Sequence, residues 1–421
     1  MIVIGYPTSD NEPIVSGEIK NPFYLSQTLK KLGHDVSVIN TTFTTDKKFD
    51  SSCRVLDGIK IYDVKKIKKK YLRGIINPII ESIYKAKKLL QLIKTKNFDI
   101  IHIHTSTCTS LAAVLFLKKI KIIKSPIIIT FHGTGFLEGR AEEDNKFSFY
   151  NFLVSINNLC QLYIDRITLR WSEKIISAGE YQVKEMLDVY KVPIEKLIPI
   201  SNGVDTSFYT PLPKDSAEVT KIRERYGLIG MRVVLLVGRI AKKKGFQYIV
   251  EAAPYILKQI PNTRFFIVGG IDLFAHYEPK LIEKIRYLNL EEKFIIVKDV
   301  IEKNMPLYYD LADVCVVPSI NYEPLPTVIF EAMSCGKPVV ASNIGGIPDQ
   351  IGYKDTLVPQ KNPNKMAKKV VTILTDKALA NRLSNQNRIQ SKKFEWEKIA
   401  KEHIIIYLGL THLPSKKDSV I

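Results

Sequence analysis

The sequence predicts an α/β protein built as two doubly wound halves. Short β-branched apolar runs alternate with amphipathic stretches at helical spacing, the signature of βαβ units and parallel sheets. The alternation breaks once, after Asn202-Gly203-Val204-Asp205, and then restarts. At roughly 100–200 residues per domain, a chain of 421 residues has room for two cores.

In the first half, strands are predicted at Ile2–Ile4, Asp35–Ile39, Asp99–His104, Pro126–Phe131, Lys174–Ser177 and Lys196–Ile200. Helical stretches lie between them, such as Pro22–Leu32 and Ile79–Ile93, the latter with Ile79, Ile83, Leu90 and Ile93 on one face. A looser segment with Pro211 and Pro213 follows, read as a linker over about residues 205–228. In the second half, strands are expected at Arg232–Val237, Arg264–Val268, Lys293–Val297, Val314–Val317 and Pro338–Ala341, with helices Lys243–Lys258, Glu278–Tyr287 and Pro326–Ser334 between them. A last helix, about Trp396 to Leu408, has no strand after it.

Composition excludes whole classes. With 21 Gly, 21 Pro and 5 Cys, the chain is neither disordered, collagen-like nor a disulfide scaffold. The cysteines (Cys53, Cys108, Cys160, Cys315, Cys335) are odd in number and form no C-x-x-C pair, so reduced thiols in a cytoplasmic protein are expected. The opening apolar run, Met1 to Ile4, is too short for a secretory signal. Leu111 to Leu117 falls short of the ~20 apolar residues of a membrane span.

The net charge of +19 is uneven. Residues 60–96 hold 12 basic and 2 acidic side chains, densest at Lys65, Lys66, Lys68, Lys69, Lys70 and Arg73, then Lys85, Lys87 and Lys88. This run reads either as a solvated face of a lysine-rich chain or as a surface for anionic lipid. Interleaved Tyr62, Tyr71, Leu72, Ile75 and Ile76, with the patch Phe147, Phe149, Tyr150, Phe152 and Leu153, would anchor beside it or fill the core. Nucleic acid is not expected, because no zinc-finger, RRM or KH signature accompanies the charge.

Ligands of open α/β sheets sit beyond the carboxyl ends of the strands, so the residues just after each strand are the candidates. Val233–Val237 ends in Gly238-Arg239, and Lys244-Gly245 opens the next helix. Gly238 allows a sharp turn, and Arg239 with Lys244 at a helix N-terminus suits a diphosphate, or is a basic turn on a basic protein. Strand Val314–Val317 runs into Glu323-Pro324-Leu325-Pro326-Thr327-Val328 and then Glu331. Glu323 could accept from sugar hydroxyls and Glu331 from a ribose diol, or they could be a loop charge and a complement to the helix dipole. Gly345-Gly346-Ile347-Pro348-Asp349 is a further glycine-rich turn after the next strand.

Together these residues resemble the retaining glycosyltransferases of family 4, which have the GT-B fold of two Rossmann-like domains facing each other across a cleft. The resemblance rests on Gly238-Arg239 with Lys244-Gly245, the Glu-x7-Glu of Glu323 and Glu331, and Gly345-Gly346-Ile347-Pro348. Asn202-Gly203-Val204-Asp205 with Phe208 and Pro211, and Phe394-x-Trp396, extend it. It is dense over residues 200–400 and sparser before. It implies an acceptor-binding domain at 1–205, with a C-terminal helix of about 395–421 packing back on it. A donor-binding domain would then occupy 206–394.

The resemblance assigns Arg239 and Lys244 to the diphosphate of a UDP- or GDP-linked sugar, Glu331 to the ribose and Glu323 to the transferred sugar. Gly17, Gly238, Leu325 and the N–H groups of Thr327 and Val328 complete the donor site. His132, after strand Pro126–Phe131 and before Gly133, matches the histidine that contacts the donor sugar. Three departures stand out: Pro324 and Pro326 where glycines are usual, Asp299 where a glycine is common, and Asp349 for a glutamate. Ser16 also replaces a usual glycine. His102 and His104 share one strand face; His102 reads as packed, and neither is assigned a role.

What is missing also discriminates. No D-x-D pair, zinc-spaced Cys/His cluster, P-loop or G-x-G-x-x-G after the first strand occurs. The expectation is therefore a metal-independent, cofactor-free transferase acting on a hydroxyl acceptor. That acceptor would be a lipid-linked sugar or glycan if the basic half meets a membrane, with the protein cytoplasmic and peripheral. The same clamp would serve a nucleotide-sugar epimerase; a non-catalytic basic binding protein is the remaining alternative.

Overall fold

The computed structural model describes residues 1–4, 17–40, 53–63, 76–132, 149–213, 216–270, 277–298, 300–321 and 323–411. Among these residues two compact units are found. The first runs to Asn202 and takes up the chain again at Trp396; the second runs from Gly203 to Glu395.

The first unit is an eight-stranded sheet, in the order β3-β4-β2-β1-β5-β6-β7-β8. Its strands are β1 (Ile2–Ile4), β2 (Ser37–Asn40), β3 (Cys53–Leu56), β4 (Ile59–Asp63), β5 (Ile101–Thr105), β6 (Ile127–Phe131), β7 (Lys174–Ser177) and β8 (Leu197–Pro199). Helices α1 (Gly17–Lys31), α2 (Ile76–Thr95), α3 (Ala112–Lys119), α4 (Phe149–Leu169) and α5 (Glu180–Asp188) connect them. Every residue of β5 and β6 is buried, as befits parallel strands covered on both faces.

Three expectations change here. The hairpin β3–β4 was not foreseen, although Asp57-Gly58 carries its signal: both residues have positive φ, +48° and +72°, as a type I′ turn requires. Part of the basic segment, Ile59–Asp63, is therefore a strand paired in the sheet. Second, α2 buries Ser82, Ala86, Leu89 and Leu92, while Ile83 is 55% exposed. Third, Lys85 lies on that buried face and is shut away from any outer surface. Apolar residues on both sides of α2 blurred its inward stripe. Lys65, Lys66, Lys68, Lys69, Lys70 and Arg73 lie outside the described residues, as do Ser16, Gly133, Phe147, Asp299 and 412–421.

The second unit is a parallel sheet of β9 (Arg232–Val237), β10 (Thr263–Val268), β11 (Phe294–Val297), β12 (Val314–Val317), β13 (Val339–Ser342) and β14 (Leu357–Val358), ordered β11-β10-β9-β12-β13-β14. Helices α6 (Ala217–Arg225), α7 (Phe246–Gln259), α8 (Glu278–Tyr287), α9 (Met305–Leu311), α10 (Thr327–Ser334), α11 (Ile347–Ile351), α12 (Pro363–Thr375) and α13 (Lys377–Ser391) join and flank the strands. Leu236, Ile267 and Val316 of the sheet form one core with Ile249, Ala253 and Ile256 of α7.

Residues 205–228 are no tether, contrary to the linker reading. They hold α6, capped by Ser216, whose hydroxyl accepts from the Val219 N–H. Tyr209 and Leu228 are buried in the second unit. The Arg388 guanidinium donates to the carbonyls of Thr206 and Tyr209, 3.1 Å each. Pro211 and Pro213 thus shape a fixed turn.

The last helix, α14 (Trp396–Thr411), belongs to the first unit. Trp396 stacks on Tyr24 of α1 at 5.9 Å between ring centroids. Ile399, Ala400 and Tyr407 share a core with Leu25, Leu29, Ile128 and Ile176. Among the described residues no helix is long and apolar enough to cross a membrane. None of the five cysteines is paired.

Candidate active site

The second sheet changes winding direction between β9 and β12, the place where open α/β sheets bind ligands. The chain leaves β9 through Gly238 at φ +140°, a backbone open to glycine, with the Gly238 N–H on the Val268 carbonyl at 3.0 Å. Arg239 follows, half-buried. A single 3-10 turn, Lys242–Lys244, ends at Gly245, which enters α7 at φ +72°. A Cβ at Gly245 would stand 2.0 Å from the Pro318 carbonyl oxygen, so only glycine lets the β9 exit press on the β12 exit. That approach brings the Lys244 ammonium onto the Glu323 carboxylate as an ion pair. Ser319 donates to the same carboxylate oxygen at 3.4 Å.

The turn after β13 braces the opposite side of the Glu323 loop. The Gly346 N–H donates to the Glu323 carbonyl at 3.0 Å. A Cβ at Gly345 would meet that carbonyl at 2.2 Å, and one at Gly346 would meet the Pro324 carbonyl at 1.8 Å. Pro324 and Pro326 stiffen the loop by fixing φ. Gln350 of α11 is buried and donates to the Pro326 carbonyl at 2.9 Å, a support the sequence reading missed. Leu325 is buried.

Pro326 is the N-cap of α10 and supplies no side-chain cap. The N–H groups of Thr327 and Val328 open that helix, where intrahelical acceptors are lacking and the dipole favours an anion. Glu331 is the fifth residue of α10 and only 3% exposed. The Tyr309 hydroxyl donates to its carboxylate at 2.7 Å. Burial first, and the Glu331 charge second, hold the Tyr309 hydroxyl well above its usual range, so it stays a donor. Nothing in the local sequence around Tyr309 advertised this partnership, which α9 creates across 22 residues. The second unit thus gathers Gly238, Lys244, Glu323, Leu325 and the start of α10 beyond the carboxyl ends of β9 and β12.

In the first unit the winding changes between β1 and β5. Gly17 is the first residue of α1. Asn21 of α1 donates to the Asn202 side chain, both buried. His102 and His104 stand on one face of β5, as the two-residue period of a strand requires, and His132 follows β6 directly. His104 Nδ1 lies 2.9 Å from His132 Nε2. His102 is held at both ring nitrogens, by the Tyr407 hydroxyl at 2.8 Å and the Thr130 hydroxyl at 2.7 Å. His403 donates from Nδ1 to the Ile399 carbonyl at 2.8 Å, since a carbonyl can only accept. Burial, then neighbouring histidines, keep the rings neutral: His132 falls to about 3 and His403, by burial, to about 4. His102 and His104 also fall well below the usual value.

Among the described residues no group of three or more His, Cys, Asp or Glu side chains is arranged to hold a metal ion.

Comparison with known proteins bears on the whole chain. The family model described as Glycosyltransferase Family 4 matches residues 23–208, and the one described as Glycosyl transferases group 1 matches residues 219–390. An uncharacterized glycosyltransferase of Methanocaldococcus jannaschii is 25% identical over 91% of this chain and 92% of its own. A GDP-mannose-dependent alpha-(1-6)-phosphatidylinositol monomannoside mannosyltransferase of Mycolicibacterium smegmatis is 30% identical over 44% of this chain and 48% of its own. Among solved structures, sucrose-phosphate synthase of Thermosynechococcus elongatus superposes with a TM-score of 0.78, at 22% identity over 97% of this chain and 98% of that one. With one family model on each unit and a GT-B fold throughout, the chain belongs to the family 4 glycosyltransferases.

Proposed function

We propose that this glycosyltransferase moves a sugar from a UDP- or GDP-linked donor to a hydroxyl acceptor, with retention and without a metal or other cofactor. The observation that carries the reading is the Lys244–Glu323 pair, held at the winding change by glycines at 245, 345 and 346. A cation paired this way can exchange its carboxylate for a diphosphate, freeing Glu323 for the sugar hydroxyls. Arg239 and Lys244 then stabilise the charge that develops on the leaving diphosphate. Thr327 and Val328 supply N–H groups, and Glu331, oriented by Tyr309, takes the ribose. Same-face substitution follows, in which the leaving diphosphate oxygen accepts the proton of the acceptor hydroxyl. No side chain serves as a covalent nucleophile, so rate comes from positioning and electrostatics. His132 is assigned to the transferred sugar by the family resemblance.

The acceptor is lipid-linked, and the first unit meets an anionic membrane. Support comes from a groove of about 490 Å³ between α2 and α3, with Ile83, Leu90 and Phe116 in its wall and Lys87 and Lys94 beside them. Phe116 is 51% exposed, and Tyr163 of the adjoining α4 is 66% exposed. Apolar side chains flanked by lysines suit the boundary between headgroups and acyl chains. The M. smegmatis relative carries a phosphatidylinositol mannoside in its name.

Separate experiments test the donor, the transfer and the membrane. Thermal shift against UDP, GDP and ADP identifies the donor base, because a ligand bound only by the folded state raises its stability. Nucleotide release from the matching sugar donor should need an acceptor. Arg239→Ala and Lys244→Ala should each lower turnover at least ~10²-fold. An epimerised donor in the absence of acceptor would favour the epimerase. Co-sedimentation with phosphatidylserine-containing vesicles, but not phosphatidylcholine ones, tests the membrane. Changing Lys65, Lys66, Lys68, Lys69 and Lys70 to Gln should weaken it and leave nucleotide binding intact.

A further inference from the structure

We propose that His104 is a positioning residue that fixes the tautomer of His132, so that His132 presents an N–H at Nδ1 to its ligand. The proposal rests on the reading of His132 as part of the sugar site, but its physical basis lies in the two rings themselves.

One proton is shared across the 2.9 Å between His104 Nδ1 and His132 Nε2. Only two neutral arrangements make that bond. If His132 donated from Nε2, His104 would carry its own proton on Nε2. That nitrogen is buried and has no hydrogen-bond partner among the described residues. A stranded N–H loses its full solvation, and buried N–H groups without partners are rarer than under-used acceptors. If instead His104 donates from Nδ1, its Nε2 is a bare lone pair, and no N–H is stranded. His132 Nε2 then accepts, and the one proton of a neutral imidazole is left on Nδ1.

The surroundings lock this choice. His104 lies against both neighbours, with ring centroids 4.2 Å from His102 and 5.1 Å from His132, the latter pair nearly parallel at 19°. His102 cannot swing, because Thr130 and Tyr407 hold its two nitrogens. The backbone at His132 is fixed too, its amide N–H donating to the Thr105 carbonyl at 2.9 Å. Among the described residues, the other titratable groups facing this cluster are His403 and Tyr407 of α14, both buried. A free neutral histidine side chain prefers its proton on Nε2, so the fold has to impose the Nδ1 form. A histidine held this way donates to a sugar oxygen and cannot take a proton through Nδ1.

Two-bond proton–nitrogen correlation on the full chain labelled with ¹⁵N-histidine reads the tautomer directly, with His132 assigned by its loss in His132→Gln. The expected pattern is a protonated Nδ1 and a bare Nε2; a protonated Nε2 in the unsubstituted protein overturns the proposal. His104→Asn keeps an N–H close to the place of Nδ1 and should retain the tautomer and most of the turnover with UDP-glucose or GDP-mannose. His104→Leu removes the N–H, and should shift His132 toward the Nε2 form and lower kcat/KM about ten-fold, the size of one hydrogen bond. Affinity for UDP or GDP should stay unchanged, because Arg239, Lys244 and Glu331, assigned to the diphosphate and ribose, belong to the second unit. Equal loss in the Asn and Leu variants would make His104 a packing residue and sink the idea. The spectrum decides the tautomer even if no sugar donor is turned over, so failure of the transferase reading would be seen separately.

Discussion

Gly346→Ala isolates the brace behind Glu323. Gly346 has φ −84° and ψ 0°, values any residue adopts, so the substitution introduces no backbone strain. Its new methyl would stand 1.8 Å from the Pro324 carbonyl oxygen and 3.2 Å from a Leu325 methyl. Real contacts of this kind exceed about 3 Å, so the loop must retreat by more than about 1 Å, carrying Glu323 with it. Pro324 and Pro326 leave that loop little freedom to absorb the shift locally. Overpacking of this kind costs about 1–3 kcal/mol, or about 2–4 °C of melting temperature per kcal/mol for a unit of this size. A displacement of about 1 Å at a positioning group lowers rate about 10²-fold. Turnover should therefore collapse far more than stability, with nucleotide diphosphate affinity much less affected than kcat. The assay is nucleotide release beside calorimetric binding and thermal melts. Gly238→Ala is the counterpart: beyond its chain neighbours, no atom of the described residues lies within 4 Å of its new methyl, but φ +140° strains it, so it should cost stability by about 1–3 kcal/mol. Turnover within about threefold of the parent in Gly346→Ala, at an unchanged melting temperature, would refute the idea that the two turns brace each other.

Tyr309→Phe should destabilise the second unit by about 1.5–3 kcal/mol, the worth of a hydrogen bond to a buried carboxylate, and weaken nucleotide affinity; calorimetry showing neither change would contradict the Tyr309–Glu331 partnership. Acid should unfold the first unit early. Its four clustered histidines titrate in the folded state well below the ordinary value near 6.5, with His132 at about 3 and His403 at about 4, so the unfolded chain binds more protons. Their contribution is complete above about pH 6.5 and is lost as pH falls toward 4. Asp165, which burial pushes up to about 7, works in the opposite direction over part of that window but with a single proton. A urea midpoint that does not fall between about pH 7.5 and pH 5 would overturn this account.

Most strands were legible in the sequence because buried parallel strands are continuous β-branched runs. Val314–Val317 is one of them, and its period needs no knowledge of its neighbours. The β3–β4 hairpin was missed because lysine-rich flanks drew attention to charge rather than to the Asp57-Gly58 turn. The segment around Pro211 read as a tether because prolines look the same whether a turn is loose or pinned. Partners far along the chain, Arg388 among them, distinguish the two. Lys244, Glu323 and the glycines at 345 and 346 could be nominated because short motifs carry them. Tyr309, Gln350 and His104 could not, because each acts through a partner that only the folded chain brings near. A motif names the groups that touch a ligand, and tertiary contact chooses the groups that hold them still.

The return of α14 to the first unit has a consequence for biosynthesis. Residues from Gly203 to Glu395 form a continuous stretch and can complete their sheet as soon as they leave the ribosome. The N-terminal unit cannot complete its core that way, although its strands are made first. Trp396, Ile399 and Tyr407 must arrive before its α1 face is covered, and Tyr407 before His102 has both of its partners. Closing a loop of nearly two hundred residues is slow, and until it closes an apolar sheet face stays open to other chains. The unit translated first is thus the one that matures last, and a nascent chain halted before Trp396 should depend on chaperones while carrying an already folded second unit.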